Sequence, residues 1–238
     1  GWADQGEAVK VQLGDKPVVT ATPGEGGKWI AKLPAQPAGG PFTLTVSGKN
    51  QIVLEDVLIG EVWLCSGQSN MQWTVSASNN ATEEIANANH PQLRHIAVPR
   101  VPSGYQKDDF DGAWQVCTPE VAGSFTAAGY FFGRYLLQEL KVPIGLVNSS
   151  WGGTAIDPWT PPEGFARVPS LEPIYKQVML TDPRSDAYKQ TLGDYLTRLD
   201  AWTKAAREAL AAQKPLEPAP EYPAGLKPLV GPGGASTL

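Results

Sequence analysis

Apolar and polar residues alternate in the first 59 residues with the period of two that is typical of half-buried β-strands. Residues 9–13 read Val-Lys-Val-Gln-Leu and residues 42–46 read Phe-Thr-Leu-Thr-Val. We therefore predict that residues 1–56 form part of a β-sandwich domain. The first clear strand begins close to Gly1, and the chain opens without an initiator methionine. We expect an upstream segment to precede it.

Beyond residue 56 the pattern changes to alternating strands and helices. An apolar face formed by Ala128, Phe131, Tyr135 and Leu136 predicts a strong helix, with Ser124 as its N-cap. A second, more polar helix is predicted around residues 79–89. The predicted strands are 62–65, 93–98 and 144–148. This alternation predicts a three-layer α/β domain with a mostly parallel sheet.

The α/β domain is predicted to extend over residues 57–238. Its last part, residues 160–238, is predicted to be a helical insertion followed by a tail. A long amphipathic helix is expected at 185–213, and the proline- and glycine-rich residues 214–238 are expected to be a loop or linker. The apolar side of the helix consists of Tyr188, Leu192, Tyr195, Leu199 and Trp202.

Composition and charge exclude several classes of protein. The chain has 42% hydrophobic and 18% charged residues, which is ordinary for a globular protein. A formal net charge of -5 argues against nucleic acid or an anionic membrane surface as the main partner. No apolar run approaches the ~20 residues that a membrane-spanning helix needs.

The few cysteines and histidines predict neither a metal site nor a cofactor. Two cysteines and two histidines cannot build a metal cluster. Cys65 and Cys117 are able to form one disulfide or to stay free and buried. The position of Cys65 inside a strand pattern favours a small buried thiol.

Ser69 is the first candidate for chemistry. An apolar strand pattern at 62–65 leads into a turn at Gly67, and Ser69 follows where a helix is expected to begin. In an α/β enzyme this position exposes a serine nucleophile, and the free N–H groups of the helix point toward an anion that forms there. A serine that only caps the helix fits the same spacing.

A second loop resembles a binding site for an oxyanion. Gly152 and Gly153 follow the predicted strand at 144–148. Because carboxyl ends of parallel strands share one edge of a sheet, we expect these glycines to lie near Ser69. A tetrahedral oxyanion needs two or three N–H donors about 3 Å away, and glycines allow the backbone to approach that closely. An ordinary Gly-Gly turn is the alternative.

Three segments, 60–71, 125–132 and 142–154, resemble the sialate O-acetylesterase family. These proteins are carbohydrate esterases of the SGNH hydrolase superfamily, and the resemblance covers nearly the whole chain. It implies an SGNH-type three-layer α/β/α domain, of which this chain holds the N-terminal part. Residues 1–56 resemble part of the jelly-roll-like domain that accompanies it. The resemblance also implies a periplasmic or secreted protein.

The resemblance implies roles for individual residues. Ser69 would be the nucleophile, and its N–H with that of Gly152 or Gly153 would bind the oxyanion. The implied substrate is an O-acetylated sialic acid, although related enzymes act on acetylated xylan and other glycans. We expect Gln68, Asn70, Trp73 and Trp151 to contact the sugar. Trp159 is a further candidate for stacking, and a core role suits each tryptophan equally well.

The catalytic base of the family is missing from this sequence. The family takes further parts from a Gln-Gly-Glu segment and an Asp-x-x-His segment, and neither occurs here. His95 lies within a strand pattern and His90 precedes a proline, so both are expected to be structural. We expect a second polypeptide from the same precursor to supply the histidine and aspartate. The alternative is a non-catalytic carbohydrate-binding or scaffold protein that retains the fold.

Overall fold

The structure is a computed structural model that describes residues 1–226. The chain divides into two compact units. The first consists of Gly1–Ser66, Asn70–Ala97 and Gly112–Ser149, and the second of Gly67–Ser69, Val98–Asp111 and the described residues 150–226. The predicted loop or linker at 214–238 lies partly outside the described residues.

The N-terminal part of the first unit contains a four-stranded antiparallel sheet in the order β2-β1-β3-β4. Its strands are β1 (Val9–Leu13), β2 (Val19–Ala21), β3 (Gly39–Ser47) and β4 (Gln51–Ile59). The side chains of Val9, Val11 and Leu13 are buried, as their alternation predicts. The packing of two sheets in a sandwich, and the domain boundary at residue 56, stay predictions.

A second sheet carries the α/β part of the fold, in the order β5-β8-β6-β7. Its strands are β5 (Glu61–Gly67), β6 (His90–Ala97), β7 (Gln115–Cys117) and β8 (Ile144–Ser150). Strand β6 runs parallel to β8, and the short β7 runs antiparallel to β6. These four strands include the three that the sequence predicts.

Strands β5 and β8 also run parallel, as hydrogen bonds at both of their ends show. The N–H of Glu61, which begins β5, donates to the carbonyl of Pro143, just before β8. The N–H of Trp151, just after β8, donates to the carbonyl of Gly67, which ends β5. Strands β5, β8 and β6 therefore end at the same edge of the sheet.

Seven α-helices occur in the described range 1–226. They are α1 (Ser69–Gln72), α2 (Ala81–Ala86), α3 (Pro119–Ala122), α4 (Ala127–Leu140), α5 (Pro162–Ala166), α6 (Glu172–Met179) and α7 (Asp186–Ala211). The predicted N-cap of α4 is wrong, because Thr126 and not Ser124 accepts the N–H of Gly129. Ser124 instead closes the preceding turn, and its hydroxyl donates to the carbonyl of Val121.

The core of the first unit lies between α4 and the second sheet. Glycines on α4 let the helix approach the strands closely: a Cβ at Gly133 would lie 2.9 Å from Leu93 and 3.2 Å from Leu146. Cys65 and Cys117 belong to this core and are both free, as the sequence favours. The other core residues are Val75, Ala88, Leu93, Ala122, Phe125, Ala127, Tyr130, Ile144 and Leu146.

His95 is part of the same packed interior. Its side chain is only 2% exposed, and its ring stacks on Phe125 with 4.2 Å between the centroids. Neither ring nitrogen has a hydrogen-bond partner within residues 1–226. Burial lowers the pKa of His95 to about 4, because the charged ring would lose its hydration.

The long helix α7 belongs to the second unit and confirms the predicted helix at 185–213. Ser185 caps it by accepting the N–H of Tyr188. The five residues of the predicted apolar side are all half-buried. The Trp202 indole N–H donates to the carbonyl of Glu217, which holds the following segment against the helix.

Two helical glycines give a matched test of the packing between α4 and the sheet. We expect Gly133→Val to lower the free energy of unfolding by about 1–3 kcal/mol, because the new side chain overlaps Leu93 and Leu146. Gly193 in α7 has open space around a Cβ. Gly193→Ala should raise the free energy of unfolding by about 0.5–1 kcal/mol. Urea denaturation measures both changes. If Gly133→Val leaves the free energy of unfolding unchanged, α4 does not pack against the second sheet as described.

His95 should make stability depend on pH. The ordinary pKa of histidine is 6.5, and folding lowers that of His95 to about 4. Between these values the unfolded chain binds a proton that the folded chain does not. Stability should therefore fall as the pH drops from about 6.5 to about 4, by about 3 kcal/mol in total.

The variant His95→Phe keeps an aromatic ring against Phe125 and removes the titration. We expect its urea midpoint to change less with pH over that window than the midpoint of the unmodified chain. His90 is present in both proteins, so the difference isolates His95. If the urea midpoints of both proteins change equally with pH, His95 does not titrate as its burial requires.

Candidate active site

Ser69 lies immediately after strand β5, where the sequence places it. Gly67 ends the strand with a φ of +150°, a conformation that favours glycine, and α1 begins at Ser69. The residue is exposed. Its hydroxyl therefore belongs to the surface at the carboxyl edge of the sheet and not to the packed interior.

The loop after strand β8 contains the two glycines predicted to bind an oxyanion. Strand β8 ends at Ser150, and Gly153 has a φ of +81°. A residue with a Cβ is strained in this conformation, so the glycine permits the turn. Gly152 is half-buried and Gly153 is exposed.

Two hydrogen bonds bring this loop to the residues just before Ser69. The Trp151 N–H donates to the Gly67 carbonyl over 3.0 Å. The Gln68 side-chain N–H donates to the Thr154 carbonyl over 2.8 Å. The residues on both sides of the Gly-Gly pair are therefore bound to the turn that carries Ser69. The pairing of Ser69 with the two glycine amides stays a prediction.

A further set of hydrogen bonds lies within the glycine loop. The Thr154 hydroxyl donates to the Trp151 carbonyl over 2.7 Å, which closes the loop around Gly152 and Gly153. The Trp159 indole N–H donates to the same hydroxyl over 2.9 Å. Trp159 follows Thr154 in a short 3-10 turn, Asp157–Trp159.

Arg100 is a neighbour of the site that sequence reasoning missed. It follows strand β6, and its Nε donates to the carbonyl of Ser150 over 3.2 Å. Segments after all three parallel strands, β5, β6 and β8, therefore meet at one place. The available signal was a cation two residues beyond the end of a predicted strand, at the edge where functional residues gather.

The predicted sugar contacts differ in their surroundings. Gln68 and Trp151 belong to the loops just described, and the donor of Gln68 is already bound to Thr154. Asn70 and Trp73 belong to the first unit. Asn70 is exposed, and Trp73 is 57% exposed with its indole N–H bonded to the carbonyl of Ala77. Trp73 thus has ring surface available for a sugar.

Neither histidine is placed to act as a base at the edge where β5 ends. His95 is enclosed in the core. His90 begins β6 and so lies at the opposite, amino edge of the parallel strands. The pKa of His90 is lowered, mainly because the ring is partly buried. Both therefore have the structural positions that the sequence predicts.

The described range 1–226 shows no cluster of His, Cys, Asp or Glu that could hold a metal ion. Within the same range, every helix is too short or too polar to cross a membrane.

Comparisons with known proteins identify the family. Residues 59–214 match the family described as "Carbohydrate esterase, sialic acid-specific acetylesterase". The sialate O-acetylesterase of Mus musculus is 38% identical over 179 residues, which cover 67% of this chain and 33% of that protein. The Homo sapiens protein of the same name is 35% identical over 179 residues, 67% of this chain and 34% of its own length.

A solved structure agrees with these relatives. The crystal structure of a carbohydrate acetylesterase from Xanthomonas citri matches with a TM-score of 0.64 and 40% identity, over 67% of this chain and 37% of that one. The mixed α/β architecture with two sheets is consistent with an SGNH-type carbohydrate esterase fold. The chain spans about a third of the length of these relatives. It belongs to the family of sialic acid-specific acetylesterases, a family of carbohydrate esterases.

Proposed function

We propose that this chain carries the nucleophile and the oxyanion loop of a carbohydrate O-acetylesterase. The observation that carries the proposal is the pair of hydrogen bonds that joins the Gly152–Gly153 loop to the residues before Ser69. These bonds hold the glycine loop next to the turn that carries the Ser69 hydroxyl. Acyl transfer needs that combination, because charge develops on the carbonyl oxygen as the nucleophile attacks.

In the proposed reaction, the Ser69 hydroxyl oxygen attacks the acetyl carbonyl carbon while a base takes the hydroxyl proton. The resulting oxyanion accepts hydrogen bonds from the N–H of Ser69 and from that of Gly152 or Gly153. The tetrahedral intermediate collapses to an acetyl-serine, and the sugar oxygen leaves with the proton. Water then attacks the acetyl-serine and releases acetate.

The base is proposed to come from a second polypeptide of the same precursor, or from a further C-terminal segment, that carries a histidine and an aspartate. An unassisted serine hydroxyl is a poor nucleophile, and both histidines of this chain have structural positions. The segment matched by this chain covers only about a third of each relative, which leaves ample sequence for these residues.

The edge of the second sheet supports this proposal. Strand β5 ends the strand order within residues 1–226, and Val62 and Leu64 are 64% and 68% exposed. An open strand edge with exposed apolar side chains is suited to pairing with another strand. A strand that paired with β5 in parallel would end level with Gly67, two residues before Ser69. The loop after it would be well placed to deliver a base.

The proposed substrate is an O-acetylated sialic acid, the class named by the family and its relatives. Gln68, Asn70, Trp73 and Trp151 stay predicted contacts to the sugar. A periplasmic or secreted location is proposed with the same support, since acetylated glycans are found outside the cytoplasm. The net negative charge gives no reason to propose nucleic acid or a membrane as a partner.

The alternative is a carbohydrate-binding or scaffold protein that keeps the fold without the reaction. The observation in its favour is that the histidines of this chain are placed for structure. Against it stands the bonded pair of loops around Ser69, because a binder has no physical need to hold a glycine loop next to the turn that carries an exposed serine.

Removal of the Ser69 hydroxyl separates the two functions. In the chain assembled with its companion, we expect Ser69→Ala to lower the turnover of an acetyl ester by at least about 10³-fold and to abolish labelling by a fluorophosphonate. Ser124→Ala is the matched control, since it removes an exposed hydroxyl from a turn in the first unit. Intact mass and peptide mapping locate the adduct. An assembled protein that gives no adduct at Ser69 would favour the binder.

The origin of the base is tested with the isolated chain. We expect the 238 residues alone to hydrolyse an acetyl ester at least about 10²-fold more slowly than the chain mixed or co-expressed with the companion segment, because general-base assistance contributes about that much. Full activity from the isolated chain would refute an external base. The Ser69→Ala chain with the companion controls for hydrolysis at other residues.

A further inference from the structure

Thr154 bonds the glycine loop both to itself and to the turn before Ser69. It follows Gly153 directly, and its side chain is buried, with 7% exposed. Its hydroxyl and its carbonyl each take part in hydrogen bonds that cross the loop. A buried polar side chain at the end of a less buried loop has a fixed geometry, because its partners leave it few alternatives.

The hydroxyl of Thr154 acts inside the loop. It donates to the Trp151 carbonyl and accepts the Trp159 indole N–H, at 2.7 and 2.9 Å. Since a hydroxyl has a single proton, the bond from Trp159 orients that proton toward Trp151. Trp159 therefore determines which way the hydroxyl donates, and the donated bond closes the loop around Gly152 and Gly153.

The carbonyl of Thr154 connects the loop to the nucleophile turn. It accepts the side-chain N–H of Gln68, whose backbone is bonded covalently to Ser69. The Trp151 N–H bond to Gly67 ties the other side of the loop. The Gly-Gly pair is thus held at both ends, and at the Thr154 end the tie depends on side chains.

Two successive glycines need such restraint more than other residues. Glycine visits more backbone conformations than any other residue, so a free Gly-Gly segment would point its N–H groups in many directions. An oxyanion hole works because its donors are aimed before the reaction starts. The orientation of Gly152 and Gly153 therefore has to come from their neighbours.

The geometry points to Thr154 as a positioning residue that fixes the Gly152–Gly153 amides beside Ser69. It does so through its bonds to Trp151 and Gln68, and Trp159 orients its hydroxyl. Gln68 and Trp159 support this arrangement, because their side-chain N–H groups donate to the carbonyl and the hydroxyl of Thr154. The expected effect of Thr154 on kcat rests on the proposed esterase function. Its effect on the mobility of the loop depends on the fold alone.

The experiment compares Thr154→Val, which keeps the shape and removes the hydroxyl, with Thr154→Ser, which keeps the hydroxyl. Trp159→Phe removes the indole N–H without touching Thr154. Thr160→Val is the matched control, because the Thr160 hydroxyl donates to the Ile156 carbonyl and not to the Trp151 carbonyl that Thr154 binds. Thermal unfolding confirms that each variant is folded.

Hydrogen exchange of the chain, read on peptides covering residues 150–156, reports the loop without any reaction. We expect exchange to be about 3- to 10-fold faster in Thr154→Val, as befits the loss of one hydrogen bond, and close to that of the unmodified chain in Thr154→Ser and Thr160→Val. Trp159→Phe should lie between them. Equal exchange in Thr154→Val and the unmodified chain, or equal effects of the Val and Ser variants, would overturn the inference.

Kinetics of the assembled esterase give the second measurement. We expect Thr154→Val to lower kcat by about 10- to 100-fold with KM changed less than about twofold, because misplaced amides weaken binding of the transition state and not of the sugar. Thr154→Ser should restore kcat. An active enzyme whose kcat is unchanged in Thr154→Val would overturn the inference. If the unmodified protein shows neither turnover nor a Ser69 adduct, the proposed function fails, and hydrogen exchange alone decides the role of Thr154.

Discussion

The parallel pairing of β5 with β8 is the constraint on which the candidate site depends. The Glu61 bond to Pro143 fixes the register at one end, and the Trp151 bond to Gly67 fixes it at the other. Because side chains alternate along a strand, a slip of one residue would turn every side chain of β5 to the other face and carry Ser69 away from the glycine loop. The packing of Gly129 and Gly133 of α4 against this sheet supports the same register.

The proposed division of the catalytic site between this chain and a companion is possible because the proposed oxyanion hole consists of backbone amides. An oxyanion hole built from N–H groups needs no titratable side chain, so it forms wherever strand pairing and glycine loops place it. A general base has the opposite requirement: a histidine with a free nitrogen and a tuned pKa next to the hydroxyl. The histidines here are enclosed in the core or sit at the far edge of the sheet. The two parts of the chemistry are therefore separable along the polypeptide.

The predictable part of the structure is the part that local patterns determine. The Val-Trp-Leu-Cys run before Gly67 predicts the strand, and the turn then places Ser69 at a helix start. The N-cap of α4 was predicted wrongly because Ser124 and Thr126 are both good caps, and only the turn at Val121 decides between them. The Gln68–Thr154 bond spans 86 residues, and the Arg100 bond to Ser150 spans 50. Such contacts follow from sheet topology, which periodicity alone does not specify.

The most direct test of the central claim is a crystal structure of the assembled protein after reaction with a fluorophosphonate, whose tetrahedral phosphorus mimics the intermediate. The account predicts phosphorus on the Ser69 oxygen, with a phosphoryl oxygen about 3 Å from the backbone nitrogens of Ser69 and of Gly152 or Gly153. An adduct at Ser69 whose phosphoryl oxygen faces bulk solvent, more than about 4 Å from those nitrogens, would contradict it.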